Sequence, residues 1–560
     1  MHKPALVLAL VTGVAAASPP AHACGGLFCD NGPQPMPVDQ TGENILFVMT
    51  GGTVEAHIQI QYQGEAERFS WVIPVTAVPE FSVGSQLLFN ELLRYSVPRY
   101  QTFLNPDSCG VNLNPGWGGT GGTASEDVLA PNSRGGETGP VVVSKKQVGA
   151  FDITVLSTGS AAELMTWLSA NNYVQLPGTE QIVTQYVAEN HLFAAVKLVN
   201  GAGVDEIHPL VMKYAGNLPC VPLKLTAVAA QQDMGVRTFF LGDGRVVPRH
   251  YKHLEVNPVR IDWVNNAQNY REVLSNAAND PVAGGQAFVT EYAGPLGNNG
   301  ATFFNESAFY SAAWDGLVFV TLPVEQVVDV LAGQGLVDCL SNSSGECTYN
   351  HPLVQGLLNQ YLPVPSGMDE VSFYGALRRN AAQINRAAWD GAAFSVDLDT
   401  RVVQPGVHAR DLTRTNTYLT RLFTLISPEE MTVDPEFHER ADLPDVDVLR
   451  TATLATRCDG QAEMTLADGQ TVFLRDATTW PTFPASMPWA LKVQDIPEVG
   501  ETVTLLDNTQ AVSTQLSQFN DSQRGSVWCA CTQVPRVPVT AGFVVLGLLL
   551  GLMRGRRGRG

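Results

Sequence analysis

The chain has 560 residues, 45% hydrophobic and 16% charged, with a formal net charge of −20 at neutral pH. That length exceeds what one core serves and predicts two or three domains, and the composition excludes a disordered chain. The charge excludes nucleic acid and anionic lipid as partners by repulsion, while 51 Gly and 35 Pro favour turn-rich β architecture over helical bundles.

Residues 1–23 read as a signal peptide: Lys3, the apolar stretch Ala5 to Ala17, and the small-x-small site Ala21-His22-Ala23, with cleavage between Ala23 and Cys24. A lipid-modified Cys24 stays open as an alternative, although Ala21 stands where such a signal carries a Leu-like residue. An exported chain with nine cysteines predicts disulfides. Cys339 and Cys347 bracket a short polar loop and form the best pair; Cys24 and Cys29 bracket GGLF in the same way. Cys109, Cys220 and Cys458 are too far apart in sequence to assign, and no Cys/His spacing fits zinc.

The stretch Val38 to Pro79 organises the fold. Ile45 to Thr50 is a short apolar strand ended by Gly51-Gly52, a hairpin dipeptide. From Val54 to Tyr62 apolar and polar residues alternate, which predicts a strand with Glu55, His57 and Gln59 in water. Arg68 to Val75 then completes an antiparallel meander. Ser85 to Ser96 is helical by pattern, with Leu88, Leu92 and Tyr95 on one face. Residues 105–140 turn abruptly to Gly, Ser, Thr, Asn and Pro, an insertion too polar to bury.

An αβ rhythm follows. Val148 to Ser157 reads as a strand, and Ser160 to Ala170 as a helix opened by a capping box of Ser160 and Glu163. Glu180 to Glu189 is a second helix. Strands recur at Leu192 to Val199, Leu210 to Tyr214, Val221 to Ala229 and Val236 to Leu241, the last turning back through Gly242-Asp243-Gly244 into Arg245 to Val247. The segments CGGLFC, PVDQTGENILFVM, AHIQIQYQGEAERFSWVIPV, VGAFDITVLSTGSAAELMTWLSANNY and PLKLTAVAA with LGDGRVV resemble the bacterial exported family called domain of unknown function 2330, over residues 24–248. The resemblance implies no activity, and no functional residue is carried over from it; the strand and helix patterns themselves predict an α+β fold with an antiparallel, β-rich N-terminal domain.

A second α+β region is expected over 285–525, past a boundary near 250–285. A helix at Asn266 to Ala278 falls within that boundary, and the region itself has strands at Phe288 to Tyr292 and Leu317 to Thr321 and a helix after Pro323 with Val324, Val327, Val328 and Leu331 on one face. Tyr418 to Ile426 is an apolar run, Glu463 to Leu466 and Thr471 to Leu474 flank the hairpin signal Asp468-Gly469, and Thr502 to Leu506 is a last strand. At the end, residues 539–553 form a 15-residue apolar segment before RGRRGRG. Trp528-Cys529-Ala530-Cys531 lies just upstream. The layout resembles the myxobacterial sorting tail, in which Cys529 or Cys531 would be processed and hold the protein at the cell surface. A plain C-terminal membrane anchor is the alternative.

No residue pattern assigns catalysis, a cofactor or a metal. His250, His253 and Glu255 form the one local His/Glu cluster, reaching a metal only if one helical turn brings them together; a surface connector is the expectation. His57 beside Glu55 has the makings of a base, but a solvated strand face is expected there. Phe69 and Trp71 read as packing, and Ser85 lacks the nucleophile-elbow glycines. Asp397, Asp399 and the Asp442 to Asp447 run lack the Gly and terminal Glu of a calcium loop. The expectation is an exported, envelope- or surface-held protein that binds an envelope or extracellular ligand without catalysis. It would meet the membrane through the C-terminal segment or a lipidated Cys. An envelope hydrolase, metal-assisted through His250, His253 and Glu255 or through His57, is the alternative.

Overall fold

A computed structural model describes residues 43–59, 70–105, 140–173, 178–199, 206–216, 218–228, 230–309, 313–338, 348–458 and 460–528, and the chain is α+β. The hairpin stands as expected, Glu43–Thr50 pairing antiparallel with Thr53–Gln59. Gly51 and Gly52 have φ of +59° and +79°, the two left-handed residues of a type I′ turn. The third meander strand is a correction. Ser70–Val75 leaves for a second sheet, ordered Ser70–Val75, Leu192–Leu198, Phe151–Ser157, Val141–Val148. There Trp71, Ile73 and Val75 pack over Ile45, Phe47, Val54, Ala56 and Ile58. A third strand laid beside the hairpin would have left that apolar face bare, and a covering layer buries it.

The hairpin sits inside a ten-stranded mixed sheet. Its order is Val503–Asp507, Ala490–Asp495, Lys252–Val256, Ala287–Pro295, Tyr418–Ile426, Met234–Gly242, Glu43–Thr50, Thr53–Gln59, Leu210–Ala215, Glu80–Val83. Two neighbouring pairs are parallel, Glu43–Thr50 with Met234–Gly242 and Lys252–Val256 with Ala287–Pro295. Strands from before residue 248 and after residue 285 thus hydrogen-bond within one sheet. Glu43–Thr50 is buried on both sides, Ile45 and Phe47 towards the second sheet, Leu46 and Val48 towards helices. Burial on both faces is why it reads as a continuous apolar run rather than an alternating one.

On the helical side lie Gln86–Ser96 and Gln404–Thr415. Ser85 caps the first, its hydroxyl accepting from the Leu88 N–H, and Leu88, Phe89, Leu92 and Tyr95 are buried against the sheet. The second sheet carries helices Ala161–Ala170 and Thr179–Ala188 on its outer face. Ser160 caps Ala161–Ala170 through the Glu163 N–H, but the Glu163 carboxylate accepts from Gly159 N–H rather than from Ser160. Half of the expected capping box is therefore present. A separate helical core runs from Phe319 to Val402. A third sheet of Arg99–Leu104, Leu449–Thr456, Ala462–Leu466 and Thr471–Leu474 packs with the helix Thr509–Trp528, and Asp468-Gly469 makes its expected hairpin, Gly469 at φ +84°.

Four local expectations are corrected. Val221 to Ala229 contains the helix Leu223–Thr226, and Leu317 to Thr321 the helix Val318–Thr321; apolar runs this short carry no period that separates strand from helix. The expected strand over Val148 to Ser157 is broken at Gly149, φ +54°, into the hairpin Val141–Val148 and Phe151–Ser157. After Gly244 the chain does not fold back on Met234–Gly242, since Val246–Arg249 pairs with Glu436–Glu439. Among the described residues no helix is long and apolar enough to cross a membrane. Residues 1–23, most of the 105–140 insertion and 539–553 lie outside those described.

Candidate ligand cavity and a buried histidine cluster

A cavity of ≈ 270 Å³ lies between the central and second sheets. Alternation along the strands builds its walls: Glu43, Ile45 and Phe47 point into it from one strand, Ala56 and Ile58 from the next, and Trp71, Ile73 and Val75 from the sheet opposite. Polar groups gather where Tyr186, Cys220, Thr226, Asp434 and Glu436 also line it. Burial pushes the Glu43 carboxyl up to about 7, a hydrogen bond with Thr226 opposing only part of the rise. Around neutrality this carboxyl is therefore poised between a neutral O–H donor and a carboxylate. Asp434 is pinned from two sides, accepting from the Tyr186 hydroxyl at 2.7 Å and from the Lys224 N–H at 2.8 Å. Lys224 Nζ lies 4.5 Å over the Tyr186 ring.

Cys220 is a free thiol. Burial, with Asp434 and Glu436 adding to it, pushes that thiol well up, which removes the thiolate that a nucleophilic cysteine needs. The polar end of the cavity offers hydrogen-bonding groups, then, rather than a nucleophile.

On the opposite face of the same strand the expectation for His57 is corrected. Glu55, His57 and Gln59 are buried, His57 to 1% exposure. Helix Gln404–Thr415 crosses this face and brings His408 Nε2 to 2.5 Å from Glu55 Oε1, while His57 Nε2 lies 2.8 Å from the same oxygen. Alternation locates two faces of a strand but not whether a later helix covers the polar one. Gln59 is likewise matched, its carbonyl oxygen accepting from Asn44 Nδ2 at 2.6 Å. Burial alone would raise the Glu55 carboxyl; hydrogen bonds to His408 and His57 overcome it and hold it well below the usual carboxylate range. Burial depresses His57, and its Glu55 partner offsets this only in part.

The other weighed residues do not converge. His250 (φ +68°) is half exposed, its Nε2 lying 3.3 Å from Glu436 Oε2. His253 is buried among Arg245, Thr290 and Gln494, and Glu255 reaches Lys492 at 3.5 Å. Four of the acids have partners of their own: Asp397 with Tyr361, Asp399 with Gln404, Asp442 with Arg440 and Asp445 with Tyr418. Trp71 packs as expected and also lines the cavity. Cys458 is disulfide-bonded. Ala23, Cys24, Cys29, Phe69, Cys109, Cys339, Cys347, Cys529 and Cys531 lie outside the described residues. His408 was missed because it lies 353 residues from Glu55 with no local motif around it. The polar end of the cavity was missed in the same way: Asp434 and Tyr186 meet only through the fold.

Against known families, residues 18–311 match a model described as "Uncharacterized protein conserved in bacteria (DUF2330)". The match extends past residue 248 to take in the strand Ala287–Pro295. No curated protein and no solved structure matches the chain.

Proposed function

The chain belongs to this family of uncharacterized bacterial proteins, and we propose that it is an exported, envelope-held binding protein whose site is the cavity between the two sheets. The observation that carries the reading is the cavity itself. Mostly apolar walls meet a few converging polar groups at one end, the general plan of a small-molecule site, and its size lies just below the usual range of about 300–1,000 Å³. Such a space suits a compact apolar molecule with a single hydrogen-bonding end, the apolar part lying between Trp71, Ala56 and Ile58 and the polar end facing Glu43. No triad or metal-assisted arrangement of His250, His253 and Glu255 competes with this reading, because those side chains point to different partners. Export and envelope attachment rest on the two chain ends read above.

The test uses the full chain and a neutral apolar fluorophore, N-phenyl-1-naphthylamine, with the gain in its fluorescence as the readout. Binding is expected to saturate, and Ala56→Phe, which fills the cavity from the central strand, to abolish it while leaving the melting transition in place. No binding by folded wild type, or equal binding by the filled variant, would sink the proposal. For the envelope half, intact mass from membrane and surface fractions is decisive. A body beginning at Cys24 and ending near Cys529 or Cys531 with added lipid mass supports a surface-held protein; a mass running through Gly560 supports a plain membrane anchor.

A further inference from the structure

Glu55 and His57 stand two residues apart on one side of the strand Thr53–Gln59, and the helix Gln404–Thr415 lays His408 across them. One donor atom from each of the three side chains falls within 4.8 Å of the other two. We propose that Glu55, His57 and His408 hold a divalent transition-metal ion of the zinc type. Two imidazole nitrogens and one carboxylate oxygen are a donor set of that class, whereas calcium and magnesium take oxygen ligands. Metal–ligand bonds of about 2.0–2.2 Å in a tetrahedral arrangement set donors about 3.3 Å apart. From 2.8 and 2.5 Å, the imidazoles need to draw back from Glu55 by less than ~1 Å to admit the ion.

The setting suits such a centre. Two ligands are fixed on a strand paired on both sides, with Glu55 opposite Val48 and Lys213, and His57 opposite Leu46 and Val211. Lys213 Nζ, 3.7 Å away, faces the second carboxylate oxygen and leaves Oε1 for the ion. His408 is half exposed, so an ion enters from its side and a water completes the coordination there, the arrangement of three-ligand sites. Just before this helix the chain makes a π-helical turn, Asp399–Val403, a feature that recurs where a helix must aim a functional side chain.

The test strips the full-length protein with a chelator and titrates it with Co²⁺, then Zn²⁺, followed by calorimetry and visible absorption. One Co²⁺ per chain is expected, with the visible bands of a four-coordinate ion, displaced by Zn²⁺. His408→Ala removes a ligand from the accessible side, where folding is least affected. It is expected to weaken binding by more than the roughly 10–100-fold that losing a supporting partner costs, with the circular dichroism of the folded protein retained, while His250→Ala binds as wild type. Folded wild type that takes up neither ion, or His408→Ala binding as tightly as wild type, overturns the proposal and leaves the cluster as a carboxylate receiving two imidazole N–H groups.

Discussion

At the scale of single residues, the chain buries charge where it has built a partner, and each such place yields a measurable consequence. Arg421 Nε lies 2.5 Å from Glu291 Oε2 in the central sheet, both side chains nearly without solvent contact. Glu291→Leu strands the guanidinium and is expected to cost about 3–5 kcal/mol in denaturant unfolding, most of it recovered in the double variant Glu291→Leu/Arg421→Met. Glu43 acts in the opposite sense. Its carboxyl is raised from 4.5 to about 7, so the folded state holds a proton that the unfolded chain has released, and stability falls as pH rises between those values. At about 1.4 kcal/mol per tenfold step this comes to about 3 kcal/mol. Wild type is expected to lose that much relative to Glu43→Gln between pH 4.5 and pH 7; equal slopes for the two proteins would refute the assignment. The residues themselves were visible in the sequence, but their states were not. His57 reads as solvated until His408 is known to lie over it.

Elements were legible where a local rule selects a single outcome. The Gly51-Gly52 turn is such a case, because both residues adopt φ values that favour glycine. Gly51→Ala is expected to destabilise by about 1 kcal/mol in chemical unfolding and Gly51→Asn by clearly less, since Asn tolerates the left-handed region. The helix Gln86–Ser96, with its apolar stripe, and the hairpin at Asp468-Gly469 were readable for the same reason. Leu223–Thr226 and Val318–Thr321 were not: each is a single turn, and an apolar run of that length fits either period. Strand partners escaped local reading as well. Val246–Arg249 follows a turn signal yet pairs with Glu436–Glu439, almost two hundred residues on.

At the scale of the whole molecule, the central sheet interleaves the two halves of the chain. Tyr418–Ile426 lies between Met234–Gly242 and Ala287–Pro295, bonded to both. A chain stopped at residue 311, where the family match ends, lacks this strand and the helix Gln404–Thr415. It is expected to expose the edges of both flanking strands and to be recovered insoluble or protease-sensitive, whereas the full chain resists limited proteolysis. A soluble, protease-resistant fragment would show that the first half closes its own core. The sequence by itself determined the α+β class, the hairpins at Gly51-Gly52 and Asp468-Gly469, the longer helices, the apolar faces and the acidic balance, because these follow from neighbouring residues and their periods. Only the tertiary structure decided which strands share a sheet, that a polar strand face is covered, and that Glu55, His57 and His408 meet. Those are contacts between distant segments, and their free energy depends on which layers pack together rather than on any local pattern.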